Sequence, residues 1–254
     1  MLAHRVLWSS ATTLLILALF RKLPEFLRVL ADRRKLLMLG LSAVLIGCNW
    51  SIYILAVYRN ELVQASLGYY INPLMSVGMG VFILREKLSR LQMGAVVLAA
   101  IGVLILGMHH DGLPWVALGL AVTFALYGYV KKRLGVDSMT GLAVETLWLA
   151  PVAVLYLGWL ASKHVPPAFG ATAGTTALLV GAGAITLAPL FFFNGAARRL
   201  PLSTLGFYQY LSPSIQLAMA VLWFHEPFTR LHGLAFGFIW AALAVYSVDT
   251  IRKA

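Results

Sequence analysis

Two ionisable residues of this 254-residue chain stand inside apolar stretches, where a charge is expensive to keep. Glu145 lies about one turn inside the apolar run Leu142–Leu160, roughly 5 Å at 1.5 Å per residue. Arg5 lies near the start of the run Ala3–Phe20. A carboxyl group so placed tends to face a bundle interior or a watery cavity, where it can hold and release a proton. Arg5 and Glu145 are therefore expected gating or coupling positions. A structural reading stands beside this one, in which Arg5 snorkels outward and Glu145 pairs with Lys131 or Lys132.

A second set of groups suits recognition rather than reaction. Asn49, Trp50, Tyr53, Tyr69, Tyr70, Asn72, Tyr208, Gln209 and Tyr210 put amides, hydroxyls and rings within apolar runs, as do Tyr127, Asn194 and Gln216. Apolar pockets with a few polar groups bind small organic molecules, so the first nine are candidate substrate contacts. Interhelical hydrogen bonds and an interfacial aromatic belt are the structural alternative. Pro73 and Pro213 lie inside apolar runs, where each can free a carbonyl and permit a bend.

Each proline opens the same pattern, Pro-x12-Glu-x-x-[Ser/Thr]-Arg, ending at Arg90 and at Arg230. Ser89-x-x-Gln92 fits a capping box, and Thr229 offers a cap without the reciprocal Glu or Gln. Glu86 and Glu226 suit the positive end of a helix starting nearby. Gly233-x-x-x-Gly237, Gly78 and Gly80 could allow close helix contact. The chain has no HExxH, Walker A loop or nucleophile elbow, so no enzyme activity, metal or cofactor is expected. His109-His110-Asp111 reads as a solvated loop. Cys48, the lone cysteine, can form neither an internal disulfide nor a zinc site, and reads as a small core residue.

The elements that must position these groups are membrane helices. Hydrophobic residues make up 61% of the chain and charged ones 11%, too apolar for a soluble core. Nine spans are expected: Ala3–Phe20, Leu36–Val57, Ala65–Leu84, Leu91–Met108, Leu113–Val130, Leu142–Leu160, Thr176–Ala197, Ser203–Phe224 and Gly233–Val248. Lipid leaves no partner for an open backbone, so all should be helical. Arg21 and Lys22 follow the first span without a small-x-small cleavage pattern, so it is retained rather than removed as a signal peptide.

Charge alternates between the loops. Segments 21–35, 85–90, 131–141, 198–202 and the C-terminal tail carry 16 of the 20 Lys and Arg residues. The positive-inside rule puts that side, and the C-terminus, in the cytoplasm of a cell that keeps this chain in its inner (plasma) membrane. The net charge of +11 is thereby explained without nucleic acid.

A shift of 140 residues lays Pro73 on Pro213, Glu86 on Glu226, Arg90 on Arg230 and Arg5-Val6-Leu7-Trp8 on Glu145-Thr146-Leu147-Trp148. Spans 36–57 and 176–197 coincide almost end to end. Two halves are expected, 1–110 with four helices and 111–254 with five, in opposite orientations. The odd count suggests a ten-helix plan whose leading helix is absent from the first half.

Several stretches resemble a known family. His4-Arg5-Val6-Leu7-Trp8-Ser9, Ser66-Leu67-Gly68-Tyr69-Tyr70-Ile71-Asn72-Pro73-Leu74, Glu145-Thr146-Leu147-Trp148 and Ser203-Thr204-Leu205-Gly206-Phe207-Tyr208-Gln209-Tyr210 resemble the RarD permeases. These belong to the EamA group of the drug/metabolite transporter superfamily. The resemblance implies an all-α integral membrane fold, an inverted repeat of five-helix bundles. It also implies a secondary transporter that exports a small organic solute, a metabolite or drug, by alternating access. The expected partners are the lipid bilayer, that solute and a coupling proton carried by Glu145. A membrane-embedded enzyme on a lipid-linked substrate and a non-transporting membrane subunit are the alternatives.

Overall fold

The computed structural model describes residues 1–108, 114–223, 225 and 229–253, and every regular element among them is helical. In chain order these are α1 (Leu2–Leu19), α2 (Leu23–Ala31), α3 (Arg33–Tyr58), α4 (Leu62–Gly78), a π-helical turn (Met79–Ile83), α5 (Arg90–Gly107), α6 (Trp115–Leu134), α7 (Ser138–Ser162), α8 (Ala173–Arg199), α9 (Leu202–Gln209), α10 (Leu211–Leu222) and α11 (Arg230–Lys253). The His109-His110-Asp111 loop and Glu226 lie outside the described residues.

Six of these helices are long and apolar enough to cross a membrane: α1, α3, α5, α7, α8 and α11. Their outward faces carry large apolar side chains. Leu155, Leu178, Ile185 and Phe192 are each more than 70% exposed on the protein itself. A soluble domain does not leave such residues in rows, whereas lipid covers them at no cost. Cys48 is on an exposed face of α3 and does not fill the core.

The other three expected spans correspond to α4 with its π turn, to α6, and to α9 with α10. The break between α9 and α10 has a local cause. Pro213 has no N–H for the Gln209 carbonyl four residues earlier, and its ring crowds that carbonyl. Gln209 closes α9 and Tyr210 forms the junction.

Helix starts follow local chemistry. Ser89 and Gln92 form the expected capping box at α5. Asp32 caps α3 by accepting from Arg34 N and Lys35 N, both at 3.1 Å. Asp137 caps α7 by accepting from Met139 N at 3.2 Å and Thr140 N at 3.4 Å. Thr229 accepts from His232 N at 3.3 Å at the start of α11.

Segment 21–35 is more than a loop. Pro24 opens the short helix α2, which buries Phe26 and Val29 against Leu17, Leu39, Ala143 and Val144. Nine residues span only about 14 Å at 1.5 Å per residue, so α2 lies along the bundle end instead of crossing lipid.

The chain gathers into two compact units. The first comprises Met1–Ser51 and Val130–Arg199, and in it α1 packs along α7 and α8. One close approach is at Gly183, where an added Cβ would stand 2.6 Å from Trp8 Cβ, and Ser9 Oγ donates to the Gly183 carbonyl at 3.0 Å. The second comprises Ile52–Tyr129 and Leu200–Ala254, and in it α5 packs along α11 and α4 along α9. There a Cβ on Gly206 would stand 2.8 Å from the Pro73 carbonyl. Of the glycines singled out by spacing, Gly80 is tightly enclosed by Glu86 and Ser203 N, but Gly237 faces open space.

Candidate functional site

In the first unit, α7 carries Glu145 two turns past its start at Ser138, in a stretch that is buried all round from Ser138 through Thr146 apart from Met139. The Glu145 carboxylate is 2% exposed and 2.6 Å from Lys131 Nζ at the end of α6. Ser42 on α3 donates its hydroxyl to the same oxygen, Glu145 Oε1. Lys131 and Ser42 are themselves 5% and 0% exposed, so water does not screen the pair. Of the partners considered from the sequence, Lys131 is the one the fold supplies. Thr140, one turn before the pair, keeps its hydroxyl buried without a hydrogen-bond partner among the described residues.

Arg5 does not snorkel away from the bundle. Its guanidinium carbon lies 4.1 Å from the centroid of the Trp50 ring, a cation–π contact made on an apolar wall. Asn49 precedes Trp50 on α3, and both are partly buried. Between the Arg5 and Glu145 levels, Thr13 and Thr146 hydroxyls meet at 3.4 Å.

A solvated charge cluster closes the Lys22 end of the first unit. Asp137 accepts from Lys22 at 3.2 Å and lies 3.8 Å from Arg198. Partial burial pushes its carboxyl up, but Lys22 and the N–H groups of Thr140 and Met139 outweigh that and hold it below the ordinary value. A lowered folded-state pKa adds stability above the unfolded value, and that stability is lost as pH falls through the folded value. Asp137→Asn should therefore melt at a lower temperature than wild type in detergent near pH 7, with the gap closing as pH falls below about 4. Melting curves at stepped pH check this. A gap that persists unchanged at low pH would mean the cap, and not the charge, sets the difference.

In the second unit the other candidates lie on α4, on α9 and its junction with α10, and at the end of α3. Asn72 Nδ2 donates to Gln209 Oε1 at 2.6 Å. Tyr210, fully buried, packs beside Phe207, whose ring stacks on Tyr246 at 3.9 Å. Tyr70 meets Phe236 edge to face at 5.4 Å, and Tyr53 lies 6.2 Å from Tyr69. Tyr208 is 37% exposed and points away from the buried face of α9. Pro73 and Pro213 are both buried. The fold thus assigns Arg5, Asn49, Trp50 and Glu145 to one unit and Tyr53, Tyr69, Tyr70, Asn72, Pro73, Tyr208, Gln209, Tyr210 and Pro213 to the other.

Glu86 serves a different helix from the one its position suggests. Its carboxylate accepts from Leu202 N at 2.7 Å, Ser203 N at 2.9 Å and Ser203 Oγ at 2.7 Å, capping α9 rather than α5. Sequence reasoning also passed over Asp249. This carboxylate is 6% exposed on α11 and accepts from Ser89 Oγ at 2.7 Å. Its signal was a lone acid just before a basic tail, at the edge of the last span.

These contacts draw the basic segments together within each unit. In the first, Lys22, Asp137 and Arg198 join segments 21–35, 131–141 and 198–202. In the second, Glu86 and Ser89 tie segment 85–90 to Leu202 and to the C-terminal end of α11. Within each unit the basic segments therefore share one end, as the charge alternation requires.

Residues 1–108 match the EamA-like transporter family. The chain is 44% identical over 251 residues to an uncharacterised transporter of Vibrio cholerae, covering 99% of this chain and 83% of that one. It is 40% identical over 250 residues to the protein RarD of Escherichia coli, covering 98% and 84% of the two chains. It is 43% identical over 254 residues to the transporter YojE of Bacillus subtilis, covering 99% and 85%. Among solved structures, a crystal structure of a protein 17% identical to this chain matches with a TM-score of 0.71, over 99% of this chain and 87% of that one, a likeness of fold alone. With apolar helices throughout and relatives of this identity along nearly its whole length, the chain belongs to the EamA-like transporter family as a RarD-type permease, a multi-pass membrane transporter of the drug/metabolite superfamily.

Proposed function

We infer that the protein is a secondary transporter that exports a small organic solute across the inner membrane by alternating access, with its C-terminus in the cytoplasm. The observation that carries this reading is the polar chemistry sealed inside apolar helices: the Glu145–Lys131–Ser42 cluster in one unit and the Asn72–Gln209 pair in the other. Polar groups at membrane depth are costly and mark substrate and ion pathways. Glu145 is the coupling group in this reading. Protonation would release Lys131, and such a change of partner is the kind of event that biases two states of a bundle.

The inverted repeat of 1–110 and 111–254 belongs to the same proposal. Two reciprocal contacts support it. Trp8 packs on Gly183 of α8, and its repeat mate Trp148 packs on Gly40 of α3. The repeat-related α3 and α8 are 26 and 27 residues long. Pro73 and Pro213 would let the equivalent helices bend as the halves exchange positions, with the tyrosines and amides near them contacting solute.

The test compares metabolites inside and outside cells that overexpress the protein with cells that express Glu145→Gln at matched levels. A solute that redistributes unchanged, and less so or with altered pH dependence in the variant, is the expected result. Normal redistribution with an unchanged pH profile in Glu145→Gln would remove the coupling role. New chemical products in place of redistribution would replace transport with catalysis.

A further inference from the structure

The substrate class can be narrowed, on the transport reading just given, from three polar atoms of the second unit. Asn72 and Gln209 stand 137 positions apart and meet through one hydrogen bond. That bond uses an N–H of one amide and the carbonyl of the other. Asn72 Oδ1 and Gln209 Nε2 remain, both buried and without a partner among the described residues. Turning both amides end for end changes which residue offers which group, but one carbonyl and one NH2 are left either way. The next residue, Tyr210, adds a buried hydroxyl that is also unpartnered.

Local structure holds these atoms in place. Gly206 lets α9 approach the α4 backbone at Pro73, which aligns the two amides. The Pro213 break ends α9 at Gln209 and sets Tyr210 in the junction. Buried polar groups are ordinarily hydrogen-bonded, and leaving them unmade carries their full desolvation cost. The two amide atoms left over by one hydrogen bond are satisfied together by a guest that brings a donor and an acceptor side by side.

The guest's charge follows from its surroundings. None of the three side chains, Asn72, Gln209 and Tyr210, carries a charge near neutral pH. The amide pair offers a dipolar edge and no counter-charge. Tyr70, which packs against the core that holds Tyr210 and meets Phe236 edge to face, supplies aromatic surface.

We propose that Asn72, Gln209 and Tyr210 form a recognition site for an uncharged solute presenting an N–H beside a carbonyl, the edge of a carboxamide, lactam or imide. The probes are benzamide, N,N-dimethylbenzamide and benzoate, which share a ring and differ in that edge. Each is titrated against the thermal unfolding of the full chain in lipid nanodiscs. Benzamide should protect at concentrations about tenfold lower than the other two, the worth of one buried hydrogen bond. Gln209→Met should abolish that preference. Tyr210→Phe, which keeps the ring and removes only the hydroxyl, should weaken benzamide without moving N,N-dimethylbenzamide by as much, and it guards against a folding defect in the first variant. Equal protection by all three probes, or protection by none, overturns the proposal. The metabolite comparison separates the two readings: redistribution with no amide preference removes only this site, whereas amide-selective binding without redistribution removes only transport.

Discussion

Lys131→Met should lower the stability of the protein by about 3–5 kcal/mol, the usual consequence of stripping one partner from a buried ion pair. Its loss leaves the Glu145 carboxylate, 2% exposed, without the cation 2.6 Å away, while Ser42 still donates to it. The double variant Lys131→Met/Glu145→Leu should recover most of that loss, because an apolar pair of similar volume needs no solvation. Denaturant or thermal unfolding in one detergent, run as a double-mutant cycle, measures the coupling. Near-additive single effects would show that the two groups do not depend on each other. The cycle also bears on mechanism, since a pair that must open for proton exchange has to be coupled while closed.

Glu86→Ala should cost about 2–4 kcal/mol, since it removes three hydrogen bonds from one ionised acceptor, and charge-assisted bonds are the stronger kind. The effect should be local before it is global. Leu202 N, Ser203 N and Ser203 Oγ lose their acceptor together, so α9 should fray from its start. Hydrogen exchange followed by mass spectrometry should show faster exchange over 200–210, with α8 unchanged. Glu86→Gln keeps one acceptor oxygen and should fall between. If exchange rises equally along α5, the carboxylate would be serving the helix that follows it in sequence, as the Glu86-x-x-Ser89 spacing first suggests.

That spacing shows where sequence reasoning stops. Glu86 is near α5 in the chain, but a tight π turn at Met79–Ile83 carries it to α9, 116 positions away from its first partner. The capping box at Ser89 was legible because both members lie within one turn. Glu145 was legible because a carboxylate stands out in an apolar run. Ser42 was not, since serine is common in membrane helices and only packing tells which one meets a charge. The same limit governed the glycines. Small-residue spacing marked Gly237, which faces open space, whereas Gly183 and Gly206 are needed because another backbone crosses them. Asn72 and Gln209 could be named as polar groups within spans, but their hydrogen bond depends on α4 meeting α9. The helices themselves were legible from apolar runs, save α2, whose nine amphipathic residues sit in a basic segment that reads as a loop.

The central claim is carriage by alternating access, and counterflow tests it most directly. The full chain is reconstituted in liposomes preloaded with the unlabelled solute identified in the cell comparison, and a trace of labelled solute is added outside. A carrier that exposes one site to each side in turn predicts transient accumulation of label above its external concentration, driven by exit of the unlabelled solute. Label that merely equilibrates, at the same rate with or without preloading, would contradict the account and describe a pore.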